Sequence, residues 1–498
     1  MKFVKNQLLI ALVLLLITGC TKREVLITVE IHEQSDVDTL IYSVPVSGTT
    51  HYGFVDTIKQ NEAGKFELSL KITQPSFIAI WDAGYKNHVK LLVEPGNSYH
   101  VAMKPERNVQ ITGANEKGLM LYTALPDPGF IEEELLKIIN YWDNNILDTT
   151  SLTFVHQKIN ELKQSDISKF KDLLNNREIS KLFFDLLQKD RDCYYASMEA
   201  KFSIIKANRS LNTETKIENE VLENLKKIYD QYPPTDESLL FSSFWQEYAE
   251  GYVQGYQQFI QKDYDPQKLH ELSKEGTINT YYINESKKYL SGKALEFFQA
   301  SHIYFICFQN RYDKELISLF EQFEKDYPKS EYSKYIKPRI DEIINYHRII
   351  EQPFDKDMVF IDNYETFNTL KDAIKPLAGK KIYIDVWATW CVPCKREFAN
   401  NEALKKILGE KDIQQLYISI DRDDDDQQWK DLIKYYHLTG THIRANKEFN
   451  INLMKMFSKN AKDPSIAIPW YILIDEHGNI MNERAKNPSQ LVAGEKLW

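Results

Sequence analysis

The sequence has few cysteines, no excess of basic residues and only one long apolar run. Five cysteines in 498 residues are too few for a secreted, disulfide-rich scaffold. The net charge is −10 and there is no extended basic stretch, which argues against a nucleic-acid or other phosphate-rich partner. With 43% apolar and 27% charged residues the chain is typical of a globular protein, and its length predicts several domains.

The one long apolar run lies at the N-terminus. Lys2 and Lys5 give it a positive start, and residues 8–17 are almost wholly apolar. Such a run is too short to span a bilayer comfortably and is typical of a signal peptide. It ends at Gly19 and Cys20, and this order resembles the lipobox of bacterial lipoproteins. An ordinary signal peptide followed by an incidental cysteine is the alternative interpretation.

The lipobox resemblance implies that residues 1–19 are a signal peptide and that Cys20 is lipidated and becomes the mature N-terminus. Several acyl chains would anchor the protein firmly to a membrane, because each buried methylene contributes about 0.8 kcal/mol. Thr21 rather than Asp follows the cysteine, which for signals of this kind implies the periplasmic side of the outer membrane. No other segment approaches the length of a transmembrane helix.

Residues 20–115 predict a compact antiparallel β-domain. Apolar residues alternate with other side chains from Val25 to Ile31, which is the period of a half-buried strand. Further strands are predicted at residues 66–70, 77–81, 89–93 and 99–103. A Pro-Gly-Asn-Ser turn signal at residues 95–98 precedes the last of them.

Residues 116–350 predict an α-helical domain, because apolar residues recur there at spacings of three and four. Three such stripes are Leu135, Ile138, Ile139 and Trp142; Leu182, Phe183, Leu186 and Leu187; and Leu316, Phe320, Phe323 and Tyr327. Pro328 is expected to end the third helix. Similar sequences at residues 230–233 and 326–330 indicate either helical-hairpin repeats or plain helix termination.

Cys193 and Cys307 lie in this helical domain. Both have apolar and aromatic neighbours, as in the sequence Tyr304-Phe305-Ile306-Cys307-Phe308. They are predicted to be buried free thiols that pack as small apolar groups. A disulfide between them is the alternative interpretation.

Residues 351–498 predict a separate α/β domain that follows a linker near Pro353. Apolar runs predict strands at residues 381–387, 415–420 and 471–474, and helical patterns lie at residues 395–408 and 427–436. This order is typical of helices packed on a central sheet. The chain is thus predicted to be multidomain, with an N-terminal antiparallel β-domain, a central α-helical domain and a C-terminal α/β domain.

The motif that indicates chemistry is Cys391-Val-Pro393-Cys394, which follows the strand at residues 381–387. Two cysteines three residues apart at a helix start can close a small disulfide ring. The helix N-terminus carries a partial positive charge, so the pKa of Cys391 should fall below the free value of about 8.5. Cys391 would then attack a substrate, and Cys394 would resolve the mixed disulfide. Pro393 suits the first helical turn, where an N–H has no helical partner.

A CxxC pair can also be half of a zinc site. Zinc usually needs two further ligands at similar spacing, which neither Cys193 and Cys307 nor His437 and His442 provide. A peroxiredoxin would have a Thr where Ala388 stands and no nearby second cysteine. Redox exchange without a metal is therefore the favoured interpretation.

The run Trp387-Ala-Thr-Trp390-Cys391-Val-Pro393-Cys394-Lys395 resembles the active site of thioredoxin-like proteins, especially the TlpA/ResA-type exported oxidoreductases. The resemblance covers about residues 355–490 and implies a thioredoxin-like fold without a cofactor. Cys391 and Cys394 match the nucleophilic and resolving cysteines of a redox-active disulfide. Asp385 matches the buried acid of thioredoxin, whose raised pKa would let it take a proton from Cys394. An acid exposed at the strand edge is the alternative.

The resemblance also implies a substrate-binding surface. Ile468-Pro469 stands where the family has a cis proline that faces the two cysteines. Backbone groups of Ile468 would pair with an extended substrate segment, and Trp390 and Pro393 would line the same surface with Pro469. A proline that merely starts a strand is the alternative interpretation.

Two features of this domain depart from known patterns. Ala399 stands where thioredoxin has the proline that bends its helix, so a straighter helix is predicted. The acidic run at residues 421–426 fails the calcium-binding EF-hand pattern, because Asp426 occupies the position of the invariant glycine. These Asp residues are predicted to cap the helix that contains Trp429.

Together these features predict an exported, lipid-anchored thiol–disulfide oxidoreductase that acts on protein substrates. The resemblance to reducing thioredoxins implies reduction, for which a membrane partner would have to supply electrons. The alternative is a lipid-anchored binding protein, in which the helical domain holds a ligand or partner and the redox domain is secondary.

Overall fold

The computed structural model describes residues 23–497 except 32–36, 47, 50–53, 105–107, 126–150, 213–218, 262–264, 310 and 459–466. The predicted signal peptide, the lipidation site at Cys20 and the apolar stripe at residues 135–142 lie outside the described residues. The chain divides into two compact units, one up to Ile343 and one from Ile344 onwards. Within the described part, no helix has the length and apolar character needed to cross a membrane.

Eight strands form two four-stranded sheets in the N-terminal β-rich region. They are β1 (Arg23–Ile31), β2 (Thr39–Ser43), β3 (Val55–Lys59), β4 (Phe66–Ile72), β5 (Ser76–Trp81), β6 (His88–Val93), β7 (Ser98–Lys104) and β8 (Asn108–Gly113). The sheets have the strand orders β4-β1-β7-β8 and β3-β2-β5-β6. Side chains along β4 alternate strictly between buried and exposed, as expected for a strand with one face against a core.

The expectation of a wholly antiparallel β-domain is wrong at one strand pair. Strand β1 pairs with β4 in antiparallel orientation but with β7 in parallel orientation. Parallel neighbours need a long crossover connection, and here the intervening strands of both sheets provide it. The short strands β2, β3 and β8 were not predicted.

The helical region supplies the rest of the first unit. Its helices are α1 (Glu116–Thr123), α2 (Leu152–Asn175), α3 (Lys181–Asn212), α4 (Asn219–Gln231), α5 (Trp245–Glu250), α6 (Gln257–Gln261), α7 (Pro266–Glu275), α8 (Ile278–Tyr289), α9 (Gly292–Phe308), α10 (Glu315–Asp326) and α11 (Ser333–Ile350), which continues into the second unit. A π-helix lies between α5 and α6. The predicted apolar stripes are buried at Phe183 and Leu187 and at Leu316, Phe320 and Phe323, whereas Leu182 is 50% exposed.

Aromatic side chains join the β-rich and helical regions within the first unit. The ring of Phe54 packs against Tyr304 and Tyr332 at centroid distances of 4.7 and 5.6 Å. The hydroxyl groups of Thr49 and Tyr332 are hydrogen-bonded at 2.6 Å. These buried contacts place both regions in one core.

Cys193 and Cys307 are buried free thiols, which confirms the prediction. Burial raises the pKa of Cys307 to about 12 and that of Cys193 further above its ordinary value. Both thiols are therefore protonated and unreactive at neutral pH.

The second unit is built on a six-stranded sheet of order β14-β13-β10-β11-β12-β9. The strands are β9 (Met358–Phe360), β10 (Lys381–Trp387), β11 (Ile413–Ser419), β12 (Gly440–Arg444), β13 (Trp470–Ile474) and β14 (Ile480–Asn482). The helices are α12 (Leu370–Ile374), α13 (Val392–Glu397), α14 (Asn401–Gly409), α15 (Asp426–Tyr435), α16 (Lys447–Phe457) and α17 (Pro488–Val492). Strand β10 pairs in parallel with β11 and antiparallel with β13. The predicted α/β domain is confirmed.

The prediction of one straight helix over residues 395–408 is wrong. A 3₁₀ turn at Phe398–Asn400 separates α13 from α14, although position 399 is alanine where thioredoxin has a proline. Residues three apart eclipse each other in a 3₁₀ turn, so Phe398 and Asn401 can both be buried on one side. The ring of Phe398 lies edge-on to Trp387 at 5.1 Å, so core packing rather than a proline accounts for the break.

Candidate active site

The two cysteines lie where the central strand of the second unit ends. Strand β10 ends at Trp387, a short turn follows, and Cys391 is the N-cap residue of helix α13. The amide of Cys391 donates to the carbonyl oxygen of Ala388 at 3.0 Å, which closes the turn. Cys391 and Cys394 are joined by a disulfide with a Cα–Cα distance of 5.3 Å. Pro393 occupies the first helical turn, as predicted.

The two sulfur atoms have different surroundings. The Sγ atom of Cys391 accepts a hydrogen bond from the amide of Cys394 at 3.1 Å, so it lies against the positive end of the helix. Cys394 is fully buried, and Cys391 retains 3% exposure. Trp390, immediately before Cys391, is 62% exposed. Of the two cysteines, Cys391 thus retains a small exposed fraction and adjoins an exposed aromatic ring, whereas Cys394 is fully covered.

Asp385 lies on strand β10 of the second unit, six residues before Cys391 in the sequence. It is fully buried on β10 between its register partners Tyr417 on β11 and Tyr471 on β13. Neither carboxylate oxygen has a hydrogen-bond partner among the described residues. Burial, with a smaller contribution from the negative charge of Glu397, raises the pKa of Asp385 well above its ordinary value. The predicted burial is confirmed, and the exposed-edge alternative is wrong.

The predicted cis proline is also confirmed. The Ile468–Pro469 peptide bond is cis and directly precedes strand β13. The first residue of β13, Trp470, pairs with Val386 near the end of β10. Pro469 and the disulfide therefore lie at the same end of the sheet, together with the exposed ring of Trp390.

The acidic run after β11 supplies the N-cap residue of α15 and an acid in its first turn, as predicted, but without a side-chain capping hydrogen bond. Asp425 occupies the N-cap position of α15 without a side-chain capping bond, and Asp426 pairs with Lys430 at 2.6 Å. Asp421 instead turns inward and binds Thr389, two residues before Cys391. The position of Asp421 at the end of β11, beside β10, was the signal available in the sequence, because ends of adjacent parallel strands meet at one sheet edge. No cluster that could hold a metal ion occurs in the part of the chain that is described.

Comparison with known proteins assigns this part of the chain to a family. The family model for Redoxin matches residues 363–491. This region is a redoxin domain. ResA, a thiol-disulfide oxidoreductase of Bacillus thuringiensis subsp. konkukian, is 27% identical over 113 residues, which are 23% of this chain and 59% of ResA. The thioredoxin-like protein YneN of Bacillus subtilis is 36% identical over 47 residues, which are 9% of this chain and 28% of YneN.

A solved structure from Bacteroides vulgatus, assigned as a thiol-disulfide oxidoreductase, is 30% identical to the part of this chain that it matches. The match covers 25% of this chain and 75% of the other protein, with a TM-score of 0.21. The residues matched by the Redoxin model contain the cysteine pair. The chain spans 59% of the length of the ResA relative. The family model and the curated relatives support an oxidoreductase-type role for the redoxin domain.

The buried carboxyl group of Asp385 should lower the stability of the oxidised protein as the pH rises. A raised native pKa means that the folded state holds its proton more tightly, so stability is lost above the unfolded pKa of about 3.9. Asp385→Asn should therefore be more stable than wild type, by about 1.4 kcal/mol for each unit of pKa elevation. Urea unfolding of the oxidised protein between pH 4 and 8 measures the difference. Asp362→Asn, at an exposed position, is the control. The expectation is contradicted if the difference in the free energy of unfolding between Asp385→Asn and wild type does not grow as the pH rises.

Proposed function

We propose that the protein is an exported thiol–disulfide oxidoreductase that reduces disulfides in protein substrates. The observation that carries the proposal is the Cys391–Cys394 disulfide at a helix N-terminus, preceded by a strand whose buried Asp385 has no hydrogen-bond partner among the described residues. A helix N-terminus stabilises a thiolate at Cys391 in the reduced state. Membership of the redoxin family supports the same reaction class.

The reaction consists of two exchanges. The thiolate of Cys391 attacks one sulfur of a substrate disulfide, which forms a mixed disulfide and releases the first substrate thiolate. Asp385 then accepts the proton of Cys394, directly or through water, and the Cys394 thiolate attacks the Sγ atom of Cys391. The second substrate thiolate leaves, and the Cys391–Cys394 disulfide is restored. Two electrons pass from the protein to the substrate in each cycle.

The substrate would bind at the end of the sheet that carries the disulfide. Trp390 offers an exposed aromatic surface beside Cys391, and Pro393 lies on the exposed side of the first helical turn. Ile468 and Pro469 lie at the same end of the sheet, where backbone groups can pair with an extended segment. This surface suits an unfolded or extended stretch of a protein substrate.

Substitution of either cysteine should separate the two exchanges. Cys391→Ser should abolish reduction of insulin in the presence of dithiothreitol, because Cys394 is buried and cannot replace it. Cys394→Ala should accumulate mixed disulfides with substrates, which non-reducing electrophoresis and mass spectrometry identify. Cys307→Ala, a buried thiol of the first unit, should retain wild-type activity as the control. Trp390→Ala, combined with Cys394→Ala, should lower the yield of trapped substrate. Equal insulin reduction by wild type and Cys391→Ser would contradict the proposal.

The direction of exchange is testable through the reduction potential of the cysteine pair. A reductase should have a potential close to the thioredoxin value of about −270 mV, whereas an oxidant would lie near about −120 mV. Equilibration of the protein with glutathione or dithiothreitol buffers, followed by alkylation, measures it. A reductase outside the cytoplasm requires an electron donor in the membrane, which we include in the proposal.

We also propose that Cys20 is lipidated and holds the protein on the periplasmic side of the outer membrane. The support is the lipobox-like order of residues at the N-terminus. Fractionation of cell envelopes should find the wild-type protein with outer membranes, and Cys20→Ala should be lost from them. Cys307→Ala is again the control for removal of a thiol. Recovery of the wild-type protein in the soluble fraction would indicate an ordinary signal peptide.

A further inference from the structure

The turn before Cys391 is fastened to the neighbouring strand by one carboxyl group. Both carboxylate oxygens of Asp421 accept a hydrogen bond from the backbone amide of Thr389 at 3.0 Å. One of them also accepts a hydrogen bond from the Thr389 hydroxyl at 2.8 Å. The Ser419 hydroxyl donates to the other oxygen at 2.7 Å, and the Asp421 amide donates back to Ser419 at 3.1 Å. Asp421 thus binds two residues from two adjacent strand ends.

This arrangement is buried, so water cannot substitute for its hydrogen bonds. Asp421 and Thr389 are each 3% exposed, and Ser419 is fully buried. A buried acceptor that is left without its donors bears the full cost of its desolvation. The turn at Thr389 is therefore held in one conformation by Asp421.

The position of the turn bears directly on the reactive sulfur. Thr389 lies between Ala388, whose carbonyl oxygen accepts the Cys391 amide, and Trp390, the exposed aromatic residue. A shift of this turn would move Cys391 relative to the amides of the first turn of α13. Those amides are the groups that stabilise a Cys391 thiolate.

Lys395 on helix α13 partly compensates the negative charge of Asp421. Lys395, directly after Cys394, is buried, and its pKa is lowered by burial while the negative charge of Asp421 acts in the opposite direction. Burial raises the pKa of Asp421, the Ser419 and Thr389 hydrogen bonds act in the opposite direction, and the negative charge of Asp425 on the same loop adds a smaller upward effect. Asp421 therefore joins the end of β11 to the turn after β10.

We propose that Asp421 is a positioning residue for Cys391, which it serves by holding the Thr389 turn against the end of β11. The inference rests on the proposed function, since it assigns a role in activating the same nucleophile. It predicts that the Thr389 hydroxyl and Asp421 act on the Cys391 thiol as a pair, although neither touches the substrate.

The test is the pH profile of Cys391 alkylation by iodoacetamide in the reduced full-length protein, read by mass spectrometry. Thr389→Val removes one hydrogen bond without changing any charge, and it should raise the Cys391 pKa by about 0.5 unit, with insulin reduction slowed about threefold near pH 7. Asp421→Ala removes both carboxylate oxygens that accept these hydrogen bonds. The double variant Asp421→Ala with Thr389→Val should therefore have the same alkylation profile as Asp421→Ala alone. Asp424→Asn, an exposed acid of the same loop, should match wild type.

An unchanged alkylation profile in folded Thr389→Val would overturn the proposal. An equal shift from Thr389→Val in wild type and in Asp421→Ala would also overturn it, because the hydroxyl would then act independently of Asp421. If Asp421→Ala does not fold, the Thr389→Val profile decides alone. Alkylation needs no protein substrate, so a wild type unable to reduce insulin would reject the proposed function and leave this test intact.

Discussion

The structure of the second unit depends on strand β10, which places Asp385 in the core and ends just before the two cysteines. Strand β10 is hydrogen-bonded to β11 on one side and β13 on the other, so its side-chain directions are set by two neighbours. Asp385 cannot turn towards solvent without breaking that register. A buried carboxylate without partners is costly, and burial therefore raises the pKa of Asp385 well above its ordinary value.

In the proposed function, an acid with a raised pKa in the strand that precedes the disulfide would couple electron transfer to proton transfer. The helix N-terminus favours negative charge on Cys391 but offers less to Cys394, which follows inside the first turn. In the proposed reaction, reduction would produce one stabilised thiolate and one thiol whose proton has to be removed during the next cycle. Asp385 is a buried carboxyl group on β10, and its raised pKa would suit proton exchange with a thiol. The burial that lowers stability would then also serve the proposed proton transfer.

Local patterns in the sequence predicted much of this arrangement. The run from Lys381 to Trp387 is a strand because its apolar residues are continuous, and the CxxC spacing identified a helix start at Cys391. The burial of Asp385 and the cis bond before Pro469 followed from the family resemblance. Each of these features depends on residues close together in sequence or on a recognisable motif.

The features that were missed depend on residues far apart in the chain. Thr389 and Asp421 are 32 residues apart, and their contact exists only because β10 and β11 are parallel neighbours. The parallel pairing of β1 with β7 likewise depends on the path of the chain through a second sheet. The 3₁₀ break at Phe398 reflects packing of that ring against Trp387. Local spacing contains no signal for the last two outcomes, and for Asp421 the signal was its place at the end of β11, beside β10.

Selectivity among the thiols follows from the same physical terms. Only a thiolate exchanges rapidly, and desolvation opposes its formation wherever no positive group compensates. Cys193 and Cys307 are buried among apolar side chains, which raises the pKa of both thiols. Cys391 is also nearly covered, but its sulfur lies against a helix amide. Of the four cysteines in the described part of the chain, two are therefore made unreactive by burial, and the proposed redox exchange would be restricted to the pair at the start of α13.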